Sequence, residues 1–203
     1  MGNFIRTSMA LEPLPGVPEI RLYRANKASG LASIAGDVAP YWAFAWGGGL
    51  ALARHVLDHP DVVAGKRVLD LGAGSGLVGI AAGMAGAGAV LAAEIDPLGR
   101  AAIPLNAAAN GVAVTLLDGD ITVGDVPDVD LVLAGDVFYD AAVGARMLPF
   151  LDRCQAAGIA VLVGDPGRTP LPRSRLREIA AYAVGDFGEP GRVGFVFELV
   201  PLL

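Results

Sequence analysis

Between Val68 and Gly76 the chain reads VLDLGAGSG, and this stretch constrains the fold more than any other. Apolar residues stand on both sides of Asp70, glycines follow at 72, 74 and 76, and an apolar run resumes at Leu77. The pattern predicts a buried strand, a tight glycine turn and the start of a helix whose free N–H groups point at a ligand.

With 203 residues the chain has the length of one ordinary domain, long enough to bury a large core. Its 54% apolar content, 28 glycines and low charged fraction of 18% suit a compact α/β protein with strands buried on both faces. The formal charge of −6 argues against a phosphate backbone as the main substrate, so no nucleic acid partner is expected. Cys154 is the single cysteine, which excludes an internal disulfide and cysteine-rich metal sites. His55 and His59 lack persuasive metal-ligand partners, and no metal is expected. The opening MGNFIRTSMALEPLPG has no apolar core of secretory length, so a cytoplasmic location is expected. Leu71 to Ala93 runs 23 residues without a charge, enough to span a bilayer, but Gly86-Ala87-Gly88 reads as a turn between two buried elements. No membrane association is expected.

Along the chain, residues 1 to 18 read as a loose leader and Glu19 to Tyr23 as a short edge strand. PYWAFAWGGG from Pro40 concentrates aromatic residues, Trp42 and Trp46 among them, before a glycine cluster; the patch is either core-facing or a wall or lid over the ligand of the glycine turn. Helices are predicted over Leu50 to Leu57, Leu77 to Ala85, Pro97 to about Asn110, Ala141 to Ala157 and Ser174 to Ala183. Strands are predicted at Ala89 to Ala93, Val112 to Leu117, Asp130 to Gly135 and Ile159 to Gly164, with a terminal antiparallel hairpin across GEPG. Strands and helices alternating in this way predict a single doubly wound α/β sheet.

The register Gly74-x-Gly76-x-x-Gly79 also satisfies a dinucleotide-binding pattern. Asp70, two residues before the first glycine, would repel a pyrophosphate. A cationic ligand reverses the sign: S-adenosylmethionine (SAM) carries a sulfonium and an ammonium. No GK[ST] follows the turn, so a P-loop is excluded. Glu94, 18 residues beyond Gly76, stands where a carboxylate reaches ribose hydroxyls. Asp120, beside Ile121 on the next loop, could accept from an adenine amino group. Gly72, Gly74, Gly76, Asp70, Glu94, Asp120 and Ile121 together with Trp46 form the expected SAM site.

This set resembles the class I SAM-dependent methyltransferases, which implies a Rossmann-like, seven-stranded, mostly parallel sheet with an antiparallel last strand. From about Pro40 to Arg168, the segments PYWAFAWGGGLALARHVLDHPDVVAGKRVLDLG, LAAEIDPLGRAAIPLNAAAN, GDVFYD and VLVGDPGR are similar to the lysine methyltransferases that modify the β subunit of electron-transfer flavoprotein. These belong to a wider group once described as nicotinamide methyltransferase-like. Gly47 stands where that family often has proline, and Glu94 replaces the commoner aspartate. The resemblance implies an extension over residues 1–35 and a catalytic core over 36–203. It implies methyl transfer from SAM, leaving S-adenosylhomocysteine, to a lysine of the flavoprotein. Asp136 would face the transferred methyl and stabilise charge arriving on nitrogen, Asp140 or water would take the proton, and Tyr139 with Trp46 would wall the lysine channel. A small-molecule amine methyltransferase, a methyltransferase of a ribosomal protein and a non-catalytic SAM-binding module are the alternatives.

Overall fold

The computed structural model describes residues 1–26, 29–31, 39–186 and 189–201. The expected boundary near residue 35 lies outside the described residues. The glycine turn is reached through β3 (Arg67–Leu71), followed by α3 (Leu77–Met84), β4 (Ala89–Ala93), α4 (Pro97–Ala109), β5 (Thr115–Leu116), β6 (Leu131–Gly135), α5 (Ala141–Ala156) and β7 (Ala160–Asp165). Before this run stand α1 (Gly2–Ser8), β1 (Ala10–Leu14), β2 (Val17–Arg24) and α2 (Gly47–Asp58); after it come β8 (Leu176–Asp186) and β9 (Glu189–Leu199). The seven-stranded sheet has the order β5-β4-β3-β6-β7-β9-β8. Only β9 runs against its neighbours, inserted between β7 and β8.

Alternation along the buried strands sends successive side chains to opposite faces. Val68 joins the core shared with α2 and α3, while Leu69 and Leu71 join the core around Phe150, Leu151 and Cys154 of α5. Asp70 therefore falls on the α3 side, beneath the glycine turn. The uncharged stretch from Leu71 to Ala93 is two buried elements, as its composition predicts, and among the described residues no helix is long and apolar enough to cross a membrane.

Two expectations are corrected. Residues 1 to 18 are not a loose leader: α1 and an antiparallel β1–β2 hairpin bury Ile5, Leu14, Val17 and Ile20. Two asparagines one helical turn apart on α4 hold that hairpin. Asn110 accepts from the Arg21 N–H and donates to the Arg21 carbonyl, and fully buried Asn106 accepts from the Tyr23 N–H. Ser174 to Ala183 is not a helix; after a 3-10 turn at Arg173–Arg175 the chain becomes the edge strand β8, because pairing along β9 overrides its helix-forming composition. His55 packs inside, its Nδ1 lying 2.9 Å from the Tyr182 hydroxyl.

The triple glycine that opens α2 faces glycines at the ends of β6 and β7 and in the middle of β9. A Cβ on Gly48 would run into the Gly164 carbonyl, and one on Gly194 would run into the carbonyl of Gly47. A Cβ on Gly135 would come within 3.0 Å of the Gly49 Cα. Helix and sheet meet here backbone to backbone, which directs the first N–H groups of α2 at the carboxyl end of β6.

Candidate active site

The glycine turn has the left-handed backbone its composition demands, with φ of 67°, 55° and 85° at Gly72, Gly74 and Gly76. Beneath it Asp70 is 1% exposed, and its carboxylate accepts from the Gly79 N–H at 2.8 Å, inside the first turn of α3. Burial pushes its carboxyl up to about 7, with the neighbouring Glu94 charge acting in the same direction.

Glu94 sits at the end of β4 and reaches across to the turn. One oxygen accepts from the Gly74 N–H at 2.7 Å, and the other from the N–H groups of Ile95 and Asp96. Asp96 in turn caps α4 through the Leu98 N–H. Asn106 completes the support by donating to the Ser75 carbonyl at 2.8 Å. The turn is thus tied to the next strand end, and through Asn106 to the N-terminal hairpin.

A shallow open cleft lies over the turn, walled by Tyr41, Phe44, Trp46, Gly72 to Ser75, Leu77 and Asp136, with Asp70 at its floor. Glu94, Asp120 and Ile121 stand outside this lining. Asp120 accepts from the Thr122 N–H and hydroxyl and lies 3.4 Å from Arg146; the Thr122 hydroxyl holds its carboxyl below the usual range. Ile121 packs against the α5-side core.

Asp136, directly after β6, is the one non-glycine among the described residues with positive φ, at 56°. Its N–H donates to the Gly164 carbonyl at 2.8 Å. Its Oδ1 accepts from the Gly48 N–H at 3.1 Å and pairs with the Arg168 guanidinium, while Oδ2 accepts from the Gly49 N–H at 2.5 Å. Burial pushes this carboxyl up to about 6, against the pull of Arg168 and the two N–H groups.

Tyr41, Tyr139, Trp46 and Phe44 form an aromatic rim. The Tyr41 and Tyr139 rings lie 5.2 Å apart and Tyr41 meets Trp46 edge-on at 5.6 Å, with both tyrosines nearly half exposed. The Trp46 indole N–H donates to the Tyr41 carbonyl at 2.8 Å. Trp42 is buried instead in the N-terminal core with Ile5 and Met9, and Phe138 is buried in the core on the α5 side. Asp140 is the N-cap of α5, accepting from the N–H groups of Ala142 and Val143, and lies outside the cleft lining. Among the described residues there is no cluster suited to a metal ion.

Tyr41 comes from the aromatic patch read as core-facing or as a wall or lid, and the structure brings in side chains to which sequence reasoning gave no individual role: Asn106, Asp165 and Arg168. The GDPGR segment carried the signal for two of them. Fully buried Asp165 accepts from the N–H groups of Gly167 and Arg168 at 2.7 Å, and this turn aims Arg168 back at Asp136.

An electron transfer flavoprotein beta subunit lysine methyltransferase of Rattus norvegicus is 47% identical over 153 residues, 72% of this chain and 60% of the relative. This chain therefore spans less than two thirds of the rat protein. A homolog from Caenorhabditis elegans is 33% identical over 205 residues, covering 87% of this chain and 82% of its own length. The crystal structure of ribosomal protein L11 methylase from Lactobacillus delbrueckii subsp. bulgaricus shares the fold with a TM-score of 0.54, at 23% identity over 73% of this chain and 77% of that one. The family model described as lysine methyltransferase matches residues 35–169, and the chain belongs to that family.

Proposed function

We propose that this chain is a SAM-dependent protein-lysine N-methyltransferase acting on the β subunit of electron-transfer flavoprotein. The observation that carries the reading is the placement of Asp136. Its carboxylate is fixed at a strand end on the wall of the cleft over the glycine turn, beside an aromatic rim open to solvent. The relatives' names supply the substrate.

The residues present suit SAM. The three left-handed glycines let a ligand lie against the backbone, and Asp70 puts a buried acid under a group carrying positive charge. Glu94 would hold the ribose, and Asp120 with Ile121 would border the adenine. When bound, SAM supplies a methyl group whose C–S bonding pair returns to sulfur as an amine lone pair forms the new N–C bond. Asp136 orients the amine and stabilises the charge arriving on nitrogen. Tyr41, Tyr139 and Trp46 exclude water from one side of the lysine chain and offer ring faces to a cation. Water takes the proton; the Asp140 Oδ1 is occupied in capping α5. A rim this open suits a side chain delivered on a protein surface better than a small amine enclosed by a lid. Cys154, buried in α5, suits a reducing cytoplasmic setting.

The test is incubation of the purified protein with labelled SAM and purified electron-transfer flavoprotein, followed by peptide mass spectrometry. Methylated lysine on the β subunit is expected. Label confined to small molecules, or none, would overturn the assignment.

A further inference from the structure

The reading above leaves a difficulty: a carboxylate beside the acceptor nitrogen favours the ammonium, which has no lone pair to attack with. We propose that Arg168 is a positioning residue that neutralises the Asp136 carboxylate, so that a substrate lysine meets the site as an amine instead of being held as an ammonium. The inference rests on the proposed lysine methyl transfer.

Arg168 is built into place. Its backbone N–H donates to Asp165 Oδ1 at 2.7 Å, its guanidinium lies 3.4 Å from Asp165 Oδ2 and pairs with Asp136, and its Cζ lies 6.0 Å from the centre of the Trp46 ring. All three charged side chains are largely buried, at 19% exposure for Arg168, 12% for Asp136 and none for Asp165. The guanidinium thus stands between two carboxylates at adjacent strand ends. The groups packed on this spot are Asp136 after β6, Asp165 and Arg168 around the end of β7, and the first N–H groups of α2; Asp70 lines the same cleft, and the Tyr41 and Tyr139 rings stand together on its rim. Without Arg168, two buried carboxylates would act on the incoming nitrogen with only the start of α2 to oppose them. With it, the pair nearest the acceptor is close to neutral, while Asp136 keeps its fixed direction. Each unit by which the lysine's titration moves changes the amine fraction about tenfold below its midpoint.

A merely structural role would lower activity by the same factor at every pH, and that difference makes the test. kcat for methyl transfer, which reports groups in the bound complex, is measured from pH 6 to 10 at saturating SAM and saturating flavoprotein for the wild type, Arg168→Gln and Arg168→Lys. In parallel, the Asp136 carboxyl is titrated by carbon NMR in each protein without cofactor. Expected for Arg168→Gln is a rising limb displaced upward by about one unit, giving a loss of about tenfold at neutral pH that closes toward pH 10. Its Asp136 midpoint should rise, and Arg168→Lys should keep both close to wild type. A pH-independent loss, or an unmoved Asp136 midpoint in Arg168→Gln, overturns the proposal. If the wild type transfers nothing to the flavoprotein, the functional reading fails, and the Asp136 titration still decides the coupling to Arg168.

Discussion

Asp70 and Gly79 meet beneath the glycine turn, the carboxylate of one accepting from the N–H of the other at 2.8 Å, at a depth where Asp70 is 1% exposed. A buried acid with its carboxyl raised to about 7 binds a proton that the unfolded chain has released above about pH 4. From this group, stability of the ligand-free protein should therefore fall as pH rises between about 4 and 7, by at most about 1.4 kcal/mol per pH unit. Asp70→Asn should lack that slope. Urea unfolding of both proteins across the window checks it; a pH-independent difference between them would refute the burial argument. A cationic ligand favours the ionised form, so wild-type SAM affinity should climb through pH 7 while the Asn variant stays flat, as read by calorimetry.

Glu94 holds the Gly74 N–H and, on the function proposed above, would also hold the ribose. Glu94→Ala should weaken SAM binding by about tenfold or more, because a charge-assisted bond and the tether of the turn are lost together. Unchanged affinity by calorimetry would remove Glu94 from the site.

Asp136→Asn keeps a residue tolerant of positive φ and an oxygen for one of the two N–H groups of α2, but leaves the other N–H without its acceptor and Arg168 without its charge partner. SAM affinity should stay within a few-fold while turnover falls by about 100-fold. A matching loss of SAM affinity would show that Asp136 belongs to the cofactor side.

Gly48→Ala tests the meeting of α2 with the sheet. The new methyl has no room against the Gly164 carbonyl, so the helix start must shift, at a cost of about 1–3 kcal/mol. Both the melting temperature and methyl transfer should drop. A variant as stable and active as the wild type would mean that the helix start is not fixed by this contact.

Asn106→Ala should lower stability by about 2–4 kcal/mol, since the Tyr23 N–H and Ser75 carbonyl each lose a partner next to a buried side chain. Its SAM affinity should fall as well, because the turn loses its tie to Ser75. Chemical denaturation and calorimetry on the same preparation separate the two effects.

The core elements were legible because their signals are local. Strong apolar runs bounded by Gly and Pro placed β3, β4, β6 and β7 within a residue or so, and the order of Asp70, the glycines, Glu94 and Asp120 was read from spacing. In the N-terminal hairpin the alternation of Glu19 to Tyr23 made β2 legible, but α1 and β1 were missed because their apolar residues are irregularly spaced and the hairpin's anchors, Asn106 and Asn110, lie 83 and 89 residues away from their partners Tyr23 and Arg21. β8 was misread because Ala, Arg and Glu favour a helix, and an exposed edge strand leaves little apolar period to oppose them. Arg168 stood in a quoted segment, but its role depends on Asp136, which only the fold brings to it.

Where α2 meets the sheet, Gly47, Gly48 and Gly49 touch Gly194, Gly164 and Gly135 through backbone atoms, so these six positions offer no side chain that a substitution could shrink. The first N–H groups of α2 are therefore brought to Asp136 by main-chain contact. Altering what the cleft admits is then a matter for the aromatic rim of Tyr41, Phe44, Trp46 and Tyr139, whose rings lie outside that backbone contact.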